Sequence, residues 1–152
     1  MRPKHLAIEL SKLDPHPCES VELEQYATEG DLAAYWMLGV DQLDDLEGKH
    51  VVDLAAGNGI LGLATLIIGA AHVTLIEADG QAVMAAEINI QRTTSRHQGT
   101  ATLIHAMIGT DEVVIARPVD VVVMNPPWGV QTARADRPLL EYAFSLGAKT
   151  VH

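Results

Sequence analysis

The amino-terminal third of the chain has the hydrophobic pattern of two helices joined by turns. Residues 3–13 carry leucines at helical spacing, which predicts an amphipathic helix. The two prolines within 14–17 end that helix, because proline lacks an amide donor and restrains its predecessor. A second helix is predicted over about 29–38, with Thr28 beginning a capping box, and a polar linker follows over 41–49.

From residue 50 onward, short apolar runs typical of buried strands alternate with helical patterns. The predicted strands are 50–54, 72–77, 101–105 and 120–124, and a fifth begins at 149–152. The predicted helices between them are 60–68, about 81–92 and 138–146. This alternation indicates an α/β fold with a doubly wound, mostly parallel sheet. Such sheets bind ligands at the carboxyl ends of their strands, so side chains there are the first functional candidates.

The composition is that of one aliphatic globular domain. The chain has 152 residues, of which 48% are hydrophobic and only 4% aromatic. We expect residues 1–48 to form a helical segment that contributes to the ligand site, and residues 49–152 to form the sheet domain. The single cysteine, Cys18, excludes an intramolecular disulfide framework and a cysteine-based zinc site.

The charge and the longest apolar stretch bear on location and on partners. Residues 59–71 are too few to span a bilayer, and residues 1–13 do not resemble a signal peptide, so we expect a cytoplasmic protein. The net charge of −10 argues against a general polyanion binder. Residues 1–91 hold fifteen acidic and four basic side chains, whereas 92–152 hold five and six. An anionic substrate would therefore meet the second part more easily.

A glycine-rich turn follows the first predicted strand. Gly57, Gly59 and Gly62 form the pattern G-x-G-x-x-G between a strand and a helix, where small residues let the backbone approach a ligand. Glu77 ends the next strand, and a carboxylate there can accept both hydroxyls of a ribose. The pair predicts an adenosine-containing cofactor, either a dinucleotide or S-adenosylmethionine. Asp53 favours S-adenosylmethionine, because a carboxylate suits an amino group and faces a pyrophosphate badly.

A second motif, Asn125-Pro126-Pro127-Trp128-Gly129, follows the fourth predicted strand. The prolines stiffen the turn, and Trp128 offers a flat face on which a base can stack. The side-chain oxygen of Asn125 and the carbonyl of Pro126 can each accept one hydrogen of an exocyclic amino group. The nitrogen lone pair is then directed at an electrophile, so the motif favours transfer to a planar amino group.

Together these residues resemble the class I S-adenosylmethionine-dependent methyltransferases that methylate amino groups. The segment 23–28, the loop 53–61 and the Asn-Pro-Pro-Trp-Gly motif are similar to one family in particular. It is the archaeal and eukaryotic methyltransferase-like family that makes N6-methyladenosine in small-subunit ribosomal RNA. The similarity runs from about residue 5 to residue 152, and its Rossmann-like fold has seven strands. We therefore expect this sequence to lack the last two strands.

The resemblance implies a role for each matched residue. The cofactor-binding set is Gln25, Thr28, Asp53, Ala55, Gly57, Asn58, Gly59, Ile60, Glu77 and Met107. The catalytic set, which holds the target adenine, is Asn125, Pro126, Pro127 and Trp128. Three positions depart from the family. Ala55 stands where glycine is usual, Met107 where an aspartate reads the adenine of the cofactor, and Trp128 where phenylalanine or tyrosine is more common.

The implied substrate is ribosomal RNA, with a target base that is unpaired or flipped out of a helix. Arg134 and Arg137 follow the second motif and are candidates for holding flanking phosphates, although ordinary solvated charge explains them equally well. In related enzymes a small zinc-binding activator subunit pairs with the edge of the sheet, so the resemblance implies such a partner here.

Three other functions fit part of the sequence. The protein-glutamine N5 methyltransferases use a similar Asn-Pro-Pro-aromatic motif on a side-chain amide, so the site chemistry does not separate protein from RNA. A non-catalytic, cofactor-binding scaffold that works within a complex agrees with a shortened sheet and with Met107. An NAD-dependent dehydrogenase explains the glycines but gives residues 125–128 no role.

Overall fold

The apolar runs after residue 50 form a five-stranded sheet. The computed structural model describes residues 1–18, 27–126 and 135–152. The helices are α1 (Pro3–Leu10), α2 (Gly30–Asp44), α3 (Ile60–Ile68), α4 (Gly80–Thr94) and α5 (Arg137–Ser145). The strands are β1 (His50–Leu54), β2 (His72–Glu77), β3 (Thr100–His105), β4 (Val121–Met124) and β5 (Thr150–Val151).

Every neighbouring pair of strands is parallel, and the order across the sheet is β3-β2-β1-β4-β5. This confirms the predicted doubly wound α/β fold. Leu54, at the end of β1, is in register with Ile76 on one side and with Met124 on the other. The segments that follow β1, β2 and β4 therefore emerge side by side at one edge of the sheet.

The two faces of the sheet bury separate apolar clusters. Val51 and Val73 pack with α1, α2 and α3, whereas Val52 and Leu54 pack with α5 and the loop after β3. Burial of an aliphatic side chain of this size contributes about 1.5–3 kcal/mol to folding. Asp53 points to the same face as Val51, where its carboxylate meets α3.

The second helix differs from its predicted limits. It continues to Asp44 and so includes the first residues of the predicted linker 41–49. The buried side chains Met37, Val40 and Asp44 keep helical spacing through this extension, and tertiary packing holds it. The predicted capping box is wrong, because Glu29 is the N-cap and makes no side-chain cap bond.

Among the described residues, no helix is long and apolar enough to cross a membrane.

Candidate active site

A cavity of about 400 Å³ opens at the carboxyl edge of the sheet. Nine of the predicted site residues line it, from segments that are distant in sequence. They are Thr28, Asp53, Ala55, Gly57, Asn58, Ile60, Glu77, Met107 and Asn125. Gln25, Pro127, Trp128 and Arg134 lie outside the described residues. The cavity thus joins the glycine-rich turn to the start of the Asn-Pro-Pro motif.

The turn after β1 depends on backbone in the left-handed region. Gly57 has φ of +58°, which glycine adopts without steric cost. Ala55 has φ of +55°, a conformation that costs an L-residue roughly 1–2 kcal/mol. The resemblance implies glycine at the position of Ala55, and glycine would adopt this conformation without that cost.

Glu77 closes this turn with its carboxylate. Its Oε2 accepts the backbone N–H of Gly57 at 2.6 Å, and its Oε1 accepts those of Ala78 and Asp79 at 3.0 and 2.9 Å. An ionised carboxylate has about four acceptor positions, so these three bonds leave capacity for a ligand hydroxyl. Glu77 therefore holds the loop and at the same time faces the cavity.

Asp53 carries an unusual buried carboxyl group. Its Oδ2 accepts the backbone N–H of Gly62 at 2.7 Å, whereas its Oδ1 is buried with no hydrogen-bond partner among the described residues. Burial raises the pKa of Asp53 to about 7; the bond from Gly62 opposes that rise, and the charge of Glu77 adds to it. A desolvated oxygen at a cavity wall is suited to a cationic ligand group.

Asn125 follows β4 and makes a contact that the sequence did not predict. Its Nδ2 donates a hydrogen bond to Oγ1 of Thr28 at 3.1 Å. Thr28 lines the cavity and also holds the amide of the candidate catalytic residue. Pro126 is buried directly after it.

Comparison with known proteins decides the family. Residues 30–145 match the methyltransferase small domain family. The chain belongs to this family. The methyltransferase is 29% identical to an uncharacterized protein of Methanocaldococcus jannaschii over 97% of this chain and 68% of that protein. It is 30% identical to an rRNA N(6)-adenosine-methyltransferase of Caenorhabditis elegans over 80% of this chain and 57% of that enzyme.

A solved structure and a second kind of enzyme are also similar to this methyltransferase. The crystal structure of a proposed RNA methyltransferase from Pyrococcus horikoshii superposes with a TM-score of 0.84 at 37% identity, over 99% of this chain and 71% of that chain. Ribosomal protein L11 methyltransferase of Aeromonas hydrophila is 39% identical over 94 residues, which are 62% of this chain and 29% of that enzyme.

S-adenosylmethionine is the cofactor of this methyltransferase, as the sequence predicted. The cavity contains groups that suit its parts. The lone buried oxygen of Asp53 suits the ammonium group, and the carboxylate of Glu77 suits the ribose. Ile76, Ala106 and Ile108 give the cavity an apolar wall on which a purine can pack.

Met107 lines this part of the cavity, and its backbone N–H donates to Oδ2 of Asp111 at 2.7 Å. Position 107 therefore has no carboxylate that could accept the amino group of the cofactor adenine, unlike the aspartate that the resemblance implies there.

Two of the predicted site residues, Gly59 and Arg137, do not line the cavity. Gly59 supports the turn but does not line the cavity. Arg137 forms an exposed ion pair with Glu141 at 2.7 Å, which raises the pKa of Arg137. Its charge is therefore shared with a neighbouring carboxylate.

Sequence reasoning missed His16 and Asn89. The ring of His16 lines the cavity against Gly57, and Asn89 is completely buried beneath the same turn. In the sequence, His16 looked like part of a helix terminator and Asn89 like an ordinary residue of α4. Their contacts with the loop span more than thirty residues of chain, so no local pattern marks them.

Among the described residues, no group of three potential ligands is placed to hold a metal ion.

Proposed function

We propose that this methyltransferase transfers a methyl group to N6 of an adenosine in RNA, with small-subunit ribosomal RNA as its substrate. The observation that carries the proposal is the position of Asn125. It lies at the end of β4 and at the cavity wall, with its amide held by Thr28 and with Pro126 next in the chain. The naming of the Caenorhabditis elegans relative as an rRNA N(6)-adenosine-methyltransferase supports the choice of acceptor.

The residues of the chain supply position and electrostatic alignment. When bound, S-adenosylmethionine would supply an electrophilic methyl group and leave as S-adenosylhomocysteine, and the methylated amino group would lose one proton to solvent. The oxygens of Asn125 and Pro126 accept the two hydrogens of the amino group, so its lone pair is aligned for in-line attack. The resemblance assigns Trp128 to stacking on the base, and stacking of this kind contributes about 1–3 kcal/mol. A paired adenine cannot reach this site, so the target is unpaired or flipped out.

A protein acceptor is the second candidate. It is favoured by the similarity to the ribosomal protein L11 methyltransferases and by the net charge of −10. Protein-glutamine N5 methylation would use the same two oxygens, because a primary amide is also planar and carries two hydrogens. The acceptor must therefore be identified by experiment.

The decisive experiment offers both acceptors at once. The enzyme is incubated with small ribosomal subunits and methyl-labelled S-adenosylmethionine, with and without a zinc-binding activator subunit. RNA and protein are then separated, and labelled nucleosides are identified by mass spectrometry. Asn125→Ala is the test variant. Gln98→Ala, which also removes a side-chain amide but at an exposed position outside the cavity, is the control.

We expect the label in N6-methyladenosine, with initial rates reduced about a hundredfold or more by Asn125→Ala and unchanged by Gln98→Ala. Label confined to protein would overturn the RNA proposal in favour of the second candidate. Cofactor binding without any transfer, with the activator present, would identify a non-catalytic scaffold instead.

A further inference from the structure

The segment after α1 reaches the cofactor cavity through His16. Its imidazole lies so close to Gly57 that a Cβ on Gly57 would stand 2.5 Å from Cδ2 and 2.9 Å from Nε2 of the ring. The same ring lines the cavity together with Asp53, Asn58 and Glu77. A side chain at position 57 would force the ring to move, so the ring and the turn are closely fitted.

The hydrogen bonds of His16 determine which ring nitrogen carries the proton. The backbone N–H of Cys18 lies 2.9 Å from Nδ1, and a backbone N–H can only donate. Nδ1 is therefore the acceptor, and in the neutral ring the proton is on Nε2. Burial lowers the pKa of His16, which favours the neutral ring, while the carboxylates of Glu77 and Asp79 oppose this. The edge of the ring that lies on Gly57 thus carries an N–H donor.

A buried polar clamp fixes the segment that carries this ring. Oδ1 of Asn89 accepts the backbone N–H of Asp14 at 2.7 Å. The carbonyl of Asp14 accepts Nδ2 of Asn58 at 2.8 Å and Nδ2 of Asn89 at 3.0 Å. Nδ2 of Asn89 also donates to the carbonyl of Asn58 at 3.0 Å. Both ends of the Asn89 amide are used, and they join α4, the glycine-rich turn and Asp14.

A packing role alone does not require this arrangement. Asn89 is 0% exposed, and burying an amide costs free energy unless its bonds are made. An apolar side chain would pack α4 without that cost, whereas the amide fixes one position of the Asp14 backbone. Outside the core, Arg92 adds a bond to Oδ1 of Asp14 at 2.6 Å. These bonds fix the position of Asp14, and they thereby position His16, which follows it by two residues.

We propose that His16 is a cofactor-binding residue whose Nε2–H donates to an oxygen of S-adenosylmethionine, and that Asn89 positions it through Asp14. Two kinds of oxygen have the required chemistry, the carboxylate of the methionyl part and the hydroxyls of the ribose. This inference rests on the cofactor and not on the proposed RNA acceptor, so it can fail while that proposal stands.

Binding measurements on the full chain test the proposal without methyl transfer. The dissociation constants of S-adenosylhomocysteine and of 5′-methylthioadenosine, which lacks the amino-acid part, are measured by calorimetry. His16→Phe keeps a ring but loses the donor, whereas His16→Gln keeps an N–H at a similar reach. His5→Ala, on the exposed side of α1, is the control, and thermal midpoints without ligand report folding.

We expect His16→Phe to weaken the binding of S-adenosylhomocysteine roughly tenfold. The affinities of His16→Gln and His5→Ala should stay within about threefold of the wild type. A loss that is absent for 5′-methylthioadenosine assigns the bond to the carboxylate, and a loss for both ligands assigns it to the ribose. Wild-type affinity of His16→Phe for both ligands would overturn the proposal.

The positioning role has its own test. Asn89→Asp keeps the acceptor for Asp14 but loses both donated bonds. Arg92→Ala removes only the outer bonds, to Oδ1 of Asp14 and to the carbonyl of Lys12. We expect Asn89→Asp to weaken the binding of S-adenosylhomocysteine by a similar factor. The double variant, Asn89→Asp with His16→Phe, should lose little further affinity. Full additivity of the two losses would show that Asn89 acts independently of His16. Arg92→Ala should have a smaller effect than Asn89→Asp, and the reverse order would contradict the clamp.

Discussion

At the scale of single residues, Asp53 has the most consequential surroundings in the site. Its carboxyl group is 1% exposed, one of its oxygens has no described partner, and burial raises its pKa to about 7. The folded chain therefore binds more protons at Asp53 than the unfolded chain between about pH 4 and pH 7. The contribution of this group to stability falls as the pH rises through that window.

Because the pKa of Asp53 is raised to about 7, we expect cofactor binding to release a proton. At pH 6.5 Asp53 is mostly protonated in the cofactor-free enzyme, and an ammonium group favours the ionised form. Calorimetry of S-adenosylhomocysteine binding in two buffers of different ionisation enthalpy should show release of up to one proton at about pH 6.5 and little at about pH 8. Asp53→Asn should remove the release. Identical heats in the two buffers at the lower pH would show that cofactor binding does not ionise Asp53.

Ala55 is strained at a position where the family it resembles usually has glycine. Replacing it with glycine removes the left-handed penalty but adds freedom to the unfolded chain. We expect Ala55→Gly to raise the free energy of unfolding by up to about 1 kcal/mol in urea titrations. A destabilised Ala55→Gly would mean that the methyl group contributes more through packing at the cavity wall than its backbone conformation costs.

At the scale of elements, α3 is seated against the sheet through a glycine. A Cβ on Gly62 would stand 2.9 Å from Cγ1 of Val73 and 3.0 Å from Oδ2 of Asp53. The helix therefore approaches β1 and β2 closely enough for its backbone to bind the carboxylate of Asp53. Gly39 provides the contrast, because a Cβ there would meet nothing within 4 Å.

This contrast gives a paired prediction. Alanine is favoured over glycine inside a helix by about 1 kcal/mol, so Gly39→Ala should raise the thermal midpoint. Gly62→Ala should lower the thermal midpoint despite the same intrinsic preference for alanine, because Val73 and Asp53 must both move away from α3. Scanning calorimetry of both variants measures the difference. Equal stabilisation by both would mean that α3 lies farther from the sheet than described.

At the scale of the whole molecule, alternating patterns were sufficient to predict the parallel sheet and the edge that holds the site. Asp53, Glu77 and Asn125 were named as candidates because each lies at the end of a buried strand or directly after it. His16 and Asn89 were not, since their roles arise only when the first helix folds back onto the turn after β1. The extent of α2 was underestimated because residues 41–49 look like a polar linker, whereas burial of Val40 and Asp44 holds the last turn of the helix.

Cofactor binding should stabilise the entire fold, since the cavity joins segments from both ends of the described chain. A ligand at about a hundred times its dissociation constant adds about 2.7 kcal/mol to the free energy of unfolding. For a chain of this length, that corresponds to a rise of roughly 5–10 °C in the thermal midpoint. S-adenosylhomocysteine should produce this rise and NAD should not. A rise with NAD alone would support the dehydrogenase interpretation.

The most direct test of the account compares binding with catalysis in one variant. Asn125→Ala is assayed for methyl transfer to RNA under saturating cofactor, and its affinity for S-adenosylhomocysteine is measured in parallel. Loss of an acceptor that acts mainly in the transition state should lower kcat by about a hundredfold or more, with cofactor affinity within about threefold of the wild type. An unchanged kcat in Asn125→Ala would contradict the assignment of this residue, and with it the proposed mechanism.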